Sequence, residues 1–240
     1  MKHIVVLTGA GMSAESGVKT FRDHGGLWEG HDVMQVASPQ GFRENPELVL
    51  EFYNQRRRQL KEVEPNEAHK AIANLESKYK VTVVTQNVDD LHERAGSSNI
   101  VHLHGELFKI RSTGNPKDIR YWTEDIKLGD TCDKGYQLRP HIVWFGEDVP
   151  MIEKAVEICH TADILLIIGT SMQVYPANGL MHYVSSEVPI YYIDPRPATV
   201  NHPNIKVIAK TATEGMKVLL NILSSKNSTL LRTTNSKKQL

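Results

Sequence analysis

Short apolar runs separated by helical stretches constrain this 240-residue chain more than any other feature. Residues 4–7, 81–84, 164–168 and 190–193 are apolar and rich in β-branched side chains, with weaker runs at 100–103 and 205–208. Between them lie helical stretches such as 46–62, 66–78 and 151–160. Strands that are apolar throughout and alternate with helices predict an α/β fold, a parallel doubly wound sheet covered on both faces. The length suits one large domain or a domain with an inserted smaller lobe. Two segments break the alternation. Residues 24–65 precede the next sheet-layer helix, and 108–140 is polar, rich in Gly, Lys and Asp, with little periodicity; both are read as insertions that build a smaller lobe above the sheet. The domain is expected to span 1–223. The tail 224–240, SSKNSTLLRTTNSKKQL, lacks turn signals and periodicity and is expected to be disordered.

Lys plus Arg and Asp plus Glu number 28 each, so the net charge is zero. Such a chain has no field of one sign to hold nucleic acid or an anionic membrane. The start, MKHIVVLTGAG, has too short an apolar stretch for a signal peptide, and no run approaches membrane-spanning length, so a cytoplasmic protein is expected. Oligomeric state is left open. Cys132 and Cys159 are the only cysteines, too few for a cysteine-only zinc site.

The first apolar run leads into GAGMSAESGVKTFRD, residues 9–23. Gly9 and Gly11 permit a tight turn that approaches a pyrophosphate, Ala14 lets a following helix pack closely, and the helix amides face the anion. The same pattern also closes ordinary strand–helix connections. In TQNVDDLHERAG, 85–96, Gln86, Asn87, Val88 and Asp89 stand at the carboxyl edge of a strand, where open α/β sheets bind ligands; Asp89 or Asp90 could equally cap a helix beginning near Leu91. VHLHGEL, 101–107, places His102 and His104 on one strand face. Either imidazole could be a base or a satisfied structural group, and His104 is preferred because it ends the strand. Two such histidines also suggest a metal, but no carboxylate or cysteine stands at a familiar zinc spacing. HIVWFGE, 141–147, carries Trp144 and Phe145 before Gly146 and Glu147. Its aromatics are read either as core or as the edge of a groove where an extended peptide pairs by backbone hydrogen bonds. In GTSMQVYPAN, 169–178, Gly169, Thr170 and Ser171 repeat the small-residue logic of the first turn.

These five segments, in this order, resemble the sirtuins, NAD-dependent protein-lysine deacylases, and the likeness spans roughly residues 2–222. A hydride-transferring dehydrogenase is disfavoured, since the region where its ribose-binding acid is expected reads DHGGLWEG. The resemblance implies a Rossmann-like NAD domain with a small lobe, NAD as cofactor, and acyl-lysine proteins or peptides as partners. It assigns to the cofactor Gly9, Ala10, Gly11, Ser13, Ala14, Phe21, Arg22, Trp28, Gln86, Asn87, Val88, Asp89, Gly169, Thr170 and Ser171, and more weakly Ile193, Asp194, Pro195 and Ala212. Asn87 and Asp89 hold the nicotinamide end in that scheme. His104 is the general base that helps a ribose hydroxyl attack after the acyl oxygen displaces nicotinamide. Val143, Trp144, Phe145, Gly146 and Glu147 line the substrate side. The products implied are free lysine, nicotinamide and O-acyl-ADP-ribose. Protein ADP-ribosylation and a non-catalytic NAD-binding module are the alternatives.

Two details refine the resemblance. Most sirtuins carry two CxxC pairs before the VWFGE motif, whereas this chain has only Cys132 there, and Asp130, Asp133 and His141 are poor replacements. No metal is therefore expected, and 108–140 is expected to be braced by hairpin contacts. In FYNQRRRQL, Tyr53 and Arg56 lie three apart on a helix face. From composition alone, 56–58 is a solvated basic face. Within the resemblance the pair is similar to that of class III sirtuins, which recognise a carboxylate on the acyl chain, implying desuccinylation or demalonylation, with deacetylation possible as well.

Overall fold

The computed structural model describes residues 1–19, 27–28 and 30–236. Its first half comprises β1 (His3–Thr8), β2 (Leu27–Trp28), β3 (His31–Asp32), α1 (Val33–Val36), α2 (Pro39–Glu44), α3 (Pro46–Glu62), α4 (Glu67–Leu75), β4 (Lys80–Thr85), α5 (Leu91–Arg94) and β5 (Ile100–His102). The second comprises β6 (Gly105–Ser112), β7 (Ile119–Tyr121), β8 (Leu138–Ile142), α6 (Ile152–His160), β9 (Ile164–Ile168), β10 (Ile190–Ile193), β11 (Ile205–Ile208) and α7 (Ala212–Ser236). All six expected strands form one parallel sheet in the order β11-β10-β9-β1-β4-β5.

Strand alternation sends successive side chains to opposite layers. On one face Ile4, Val6, Leu166 and Ile168 pack with Ala68 and Ile72 of α4 and Met216 and Leu219 of α7. On the other, Val5, Leu7, Leu165 and Ile167 meet Ala155 and Cys159 of α6 and Leu180 and Met181 beyond β9. Both faces are thus dry, which explains why β1 and β9 are apolar at every core position. The chain leaves β1 toward β4 on one side and returns to β9 on the other, so the strand order reverses around β1. Ligands bind at such a reversal, outside the carboxyl ends of the strands.

The two insertions form the small lobe. One contributes β2, β3 and α1 to α3; the other is an antiparallel sheet in the order β7-β6-β8 that begins at Gly105 and ends at Ile142. Helix α3 starts with Asn45 accepting from the Leu48 amide and Pro46 in its first turn, a sequence-encoded start. Its inner face, Val49, Phe52, Tyr53 and Leu60, packs with Leu107, Ile142 and Trp144.

Two expectations are corrected. Gly9 leads not into a regular helix but into two 3₁₀ turns, Ala10–Met12 and Ala14–Ser16, ended by Gly17 at φ 93°. The tail does not lack regular structure from residue 224, because α7 runs on to Ser236; no glycine or proline interrupts 216–236. Among the described residues no helix is long and apolar enough to cross a membrane.

Candidate active site

The carboxyl ends of β1, β4 and β9 open into a cavity of about 1830 Å³ between the sheet and the small lobe. Its floor is two interlocked turns. Gly9 donates to the Ile168 carbonyl at 3.1 Å and Gly11 to the Gly169 carbonyl at 2.8 Å. A Cβ on Gly11 would stand 2.7 Å from the Gly169 Cα, and Gly169 itself has φ 64° with the Met12 nitrogen where its Cβ would go. Glycine is needed here so that two backbone loops can touch, a demand beyond approach to a ligand. Thr170 is held between them: its hydroxyl accepts from Gln86 Nε2 at 3.1 Å, and its carbonyl accepts from the Tyr192 hydroxyl at 2.9 Å.

One wall carries a buried polar network. Ser13 Oγ donates to Asp89 Oδ2 at 2.9 Å and accepts from Asn87 Nδ2 at 3.0 Å, while Asp89 Oδ1 accepts from the Leu91 amide at 3.3 Å. Burial raises the Asp89 pKa to about 6, against the opposing pull of the Ser13 and Leu91 hydrogen bonds. Asp90, in contrast, stands at the start of α5 without a side-chain capping bond. The capping contact expected of either acid therefore belongs to Asp89.

His104 follows β5, just before Gly105 at φ 84°. Its Nδ1 lies 3.0 Å from the Gln86 carbonyl, which can only accept, so Nδ1 carries the proton and Nε2 carries the lone pair. Burial lowers the His104 pKa, with the Gln86 bond opposing, which favours the neutral imidazole near pH 7. His102, two residues earlier, turns to the Asn87 carbonyl and Glu93.

The small lobe supplies the facing wall through residues 142–147. Trp144 is core and Phe145 is 44% exposed, so the two aromatics divide between the two readings left open by the sequence. Trp144 donates through Nε1 to the Tyr53 hydroxyl at 3.0 Å, and the Arg139 guanidinium stacks 3.3 Å from the centre of its ring. Glu147 reaches inward: its carboxylate accepts from Arg111, Arg139 and the Trp144 amide. The Arg139 and Trp144 bonds and the charges of Arg139 and Arg111 hold its pKa low despite burial.

Of the residues singled out from sequence, Gly9, Ala10, Gly11, Ala14, Trp28, Gln86, Asn87, Val88, Asp89 and His104 line the cavity, as do Gly169, Thr170, Ser171, Asp194, Pro195, Tyr53 and 143–147. Three stand behind its wall instead. Ser13 is buried under Asp89 and Asn87, Ile193 belongs to the sheet's core, and Ala212 is packed in the α7 layer. Phe21 and Arg22 lie outside the described residues. Arg56 lines a smaller chamber of about 60 Å³ that shares Val18, Lys19, Trp28, Tyr53, Val88 and Asp89 with the main cavity. Sequence reasoning missed Glu153 and Glu157, which also line the cavity. Their i, i+4 spacing on a helix directly after the VWFGE motif is the signal that could have found them.

Among the described residues, the one close trio of metal-type side chains is Glu93, His102 and Glu106. Both His102 ring nitrogens stand at hydrogen-bond distance from other protein groups, Nδ1 from the Asn87 carbonyl and Nε2 from Glu93. Cys132 is packed with Leu50, Ile110, Ile126 and Leu138, and its sulfur accepts from Ser112 Oγ.

The Sir2 family model matches residues 9–176, from the first glycine turn through the loop after β9. The chain is 56% identical over 221 residues to the NAD-dependent protein deacylase of Helicobacter pylori (strain J99), covering 92% of this chain and 94% of that protein. It is 55% identical over 230 residues to the NAD-dependent protein deacylase of Bacteroides thetaiotaomicron, covering 93% and 98%. Among solved structures, a Sir2 homolog–NAD complex superposes with a TM-score of 0.82 at 38% identity, over 94% of this chain and 90% of that one. The sheet reversal, the two interlocked glycine turns and the histidine beyond β5 thus belong to a frame shared along nearly the whole chain, and the protein is a member of the Sir2 family.

Proposed function

We propose that this NAD-dependent protein deacylase acts preferentially on lysines whose acyl chains end in a carboxylate, succinyl or malonyl, with acetyl-lysine as a further substrate. The observation that carries the reading is the meeting of Tyr53 and Arg56 in a chamber continuous with the cavity. The Tyr53 hydroxyl accepts from Trp144 and keeps its own proton to donate; burial raises its pKa far above the working range, so the phenol stays protonated. Arg56 is permanently charged and lies 3.4 Å from the centre of the Phe52 ring. A phenol and a guanidinium suit a carboxylate, whereas an acetyl group offers neither of them a charged partner.

The residues present fit NAD. The floor is glycine where a pyrophosphate must approach backbone, Thr170 and Ser171 add hydroxyls beside it, and Asn87 and Asp89 offer an amide and a carboxylate to the nicotinamide end. When bound, NAD supplies the ribose carbon that the acyl oxygen attacks. In this reading Asn87 and Asp89 orient the carboxamide, and His104 accepts a hydroxyl proton at Nε2. Residues 143–147 take the peptide along the small-lobe wall. A zinc ion does not fit the small lobe: one cysteine in an apolar cluster, its sulfur already hydrogen-bonded, cannot make a tetrahedral site.

Nicotinamide release and product analysis on matched succinyl-lysine and acetyl-lysine peptides test the proposal. A higher kcat/KM on the succinyl peptide, with O-acyl-ADP-ribose as product, is expected. Equal or acetyl-favouring values overturn the acyl preference. ADP-ribosylated protein in place of O-acyl-ADP-ribose assigns the transferase activity instead, and no nicotinamide at all leaves a binding module.

A further inference from the structure

We propose that His102, gripped between the Asn87 carbonyl and the Glu93 carboxylate, is a positioning residue that fixes the Asn87–Asp89 segment and holds a positive charge beside Asp89. The inference rests on the deacylase reading for its consequence, while its structural core stands on hydrogen-bond chemistry alone. His102 Nδ1 lies 3.1 Å from the Asn87 carbonyl oxygen and Nε2 lies 2.7 Å from Glu93 Oε1. Both partners are pure acceptors when Glu93 is ionised, so both ring nitrogens must donate, and only an imidazolium can do that. The His102 side chain is 8% exposed, so the ring itself is buried, while its Glu93 partner reaches it from a solvent-facing side.

The comparison with His104 sharpens the point. Two histidines at alternate positions hold two successive carbonyls, Gln86 and Asn87, of the same segment. His104 has one acceptor and is left with a lone pair; His102 has two and is left with a charge. Asn87 is thereby held at its carbonyl by His102, at its amide by Thr85 Oγ1 and at its side chain by Ser13. The same Ser13 hydroxyl donates to Asp89, so the grip on Asn87 reaches the buried carboxylate through one oxygen.

The charged surroundings favour the cation. Burial pulls the His102 pKa down, but the Glu93 bond and charge, with Glu106 and the Asn87 carbonyl, more than offset it and leave it raised. Lys109 is bonded to Glu106 at 2.6 Å, and burial and the His102 charge hold the neighbouring His92 neutral, while Asp89 is drawn toward ionisation by the His102 charge and away from it by Asp90. Without that cation Asp89, already raised to about 6 by burial, takes up its proton at higher pH.

Glu93→Gln separates grip from charge. The side-chain amide introduced by that substitution can donate to Nε2, so a neutral His102 keeps its Nδ1 bond to Asn87 and loses only the charge; His102→Ala loses both. Ring-nitrogen NMR of the full chain labelled at histidine is expected to show both His102 nitrogens protonated at neutral pH in the natural protein and one in Glu93→Gln. In nicotinamide-release profiles with a succinyl-lysine peptide, Glu93→Gln is expected to move the acid limb to higher pH. His102→Ala is expected to lower kcat by about tenfold to a hundredfold, more than Glu93→Gln does, with KM for the peptide little changed. A singly protonated His102 in the natural protein, or an acid limb unmoved in Glu93→Gln, overturns the inference. Failure of the natural protein to release nicotinamide would instead refute the deacylase reading, and the NMR result would still decide the clamp.

Discussion

Arg56→Met tests acyl selection most directly, because methionine keeps an unbranched apolar stem and removes the charged fork, which stacks over Phe52 and Trp28. A hydrogen bond between ionised partners contributes about 1.5–3 kcal/mol, so the ratio of kcat/KM values, succinyl over acetyl, is expected to fall by roughly 10- to 150-fold. The acetyl peptide is the internal control, since any general disturbance of the cavity lowers both rates and cancels in the ratio. Tyr53→Phe gives a contrasting pattern. It removes a donor to the acyl chain and also the acceptor of the Trp144 indole, a side chain only 2% exposed. An unsatisfied buried donor costs about 1–3 kcal/mol of stability. Both peptides should therefore slow and the thermal midpoint should drop, with the ratio again turning toward acetyl. Steady-state kinetics on the two peptides, with a thermal unfolding curve for each variant, provide the assay. If Arg56→Met lowers both activities equally, Arg56 is structural and the carboxylate chemistry assigned to the chamber is wrong.

His104→Ala is expected to retain NAD binding by calorimetry and lose deacylation; near-normal turnover would remove the base assigned to Nε2. Gly11→Ala drives a Cβ against Gly169 backbone, while Gly30→Ala at φ 83° has open space around it, so urea denaturation should show the first more destabilised than the roughly 1 kcal/mol expected of simple strain at the second. His69 is buried and neutral, with its Nδ1 accepting the Asn66 amide in the cap of α4, and desolvation lowers its pKa to about 4. The unfolded chain binds that proton first, so the stability His69 contributes above pH 6.5 is expected to be lost as pH falls from 6.5 to about 4, by about 3 kcal/mol, and His69→Leu should flatten that part of the curve. Metal analysis should find no stoichiometric zinc, and Cys132→Ala should keep turnover; bound zinc lost on that substitution would contradict the small-lobe reading.

The parts of the fold legible in the sequence were those set by local pattern. Every apolar run became a strand, the central ones because they were continuous enough to be covered on both sides, the weaker edge runs by pairing along one side, and 46–62 became α3 because Asn45 and Pro46 announce its start. The stretch after Gly9 was misread because tertiary bonds override its helical pattern: Ser13 is drawn inward to Asp89 and Asn87, and Gly11 is tied to Gly169. The motifs marked most of the cavity lining, since strand ends and glycine turns carry their position with them. The buried ion cluster could not be read in the same way. Arg111, Arg139 and Glu147 meet only because β6 and β8 pair antiparallel, and no local spacing joins them. Ser13, Ile193 and Ala212 sit within segments that do reach the cavity, but their side chains serve the layer behind it.

Asn54, the residue after Tyr53, holds the Ile126 backbone with both ends of its amide, donating to the carbonyl and accepting from the nitrogen. The helix that carries Tyr53 and Arg56 is therefore tethered to the segment between β7 and β8. Loosening that segment releases α3 at the turn that carries the phenol, so under the proposed acyl selection, wear in this distant part of the small lobe would surface as poor discrimination among acyl groups, with the role proposed for His104 at the sheet edge untouched.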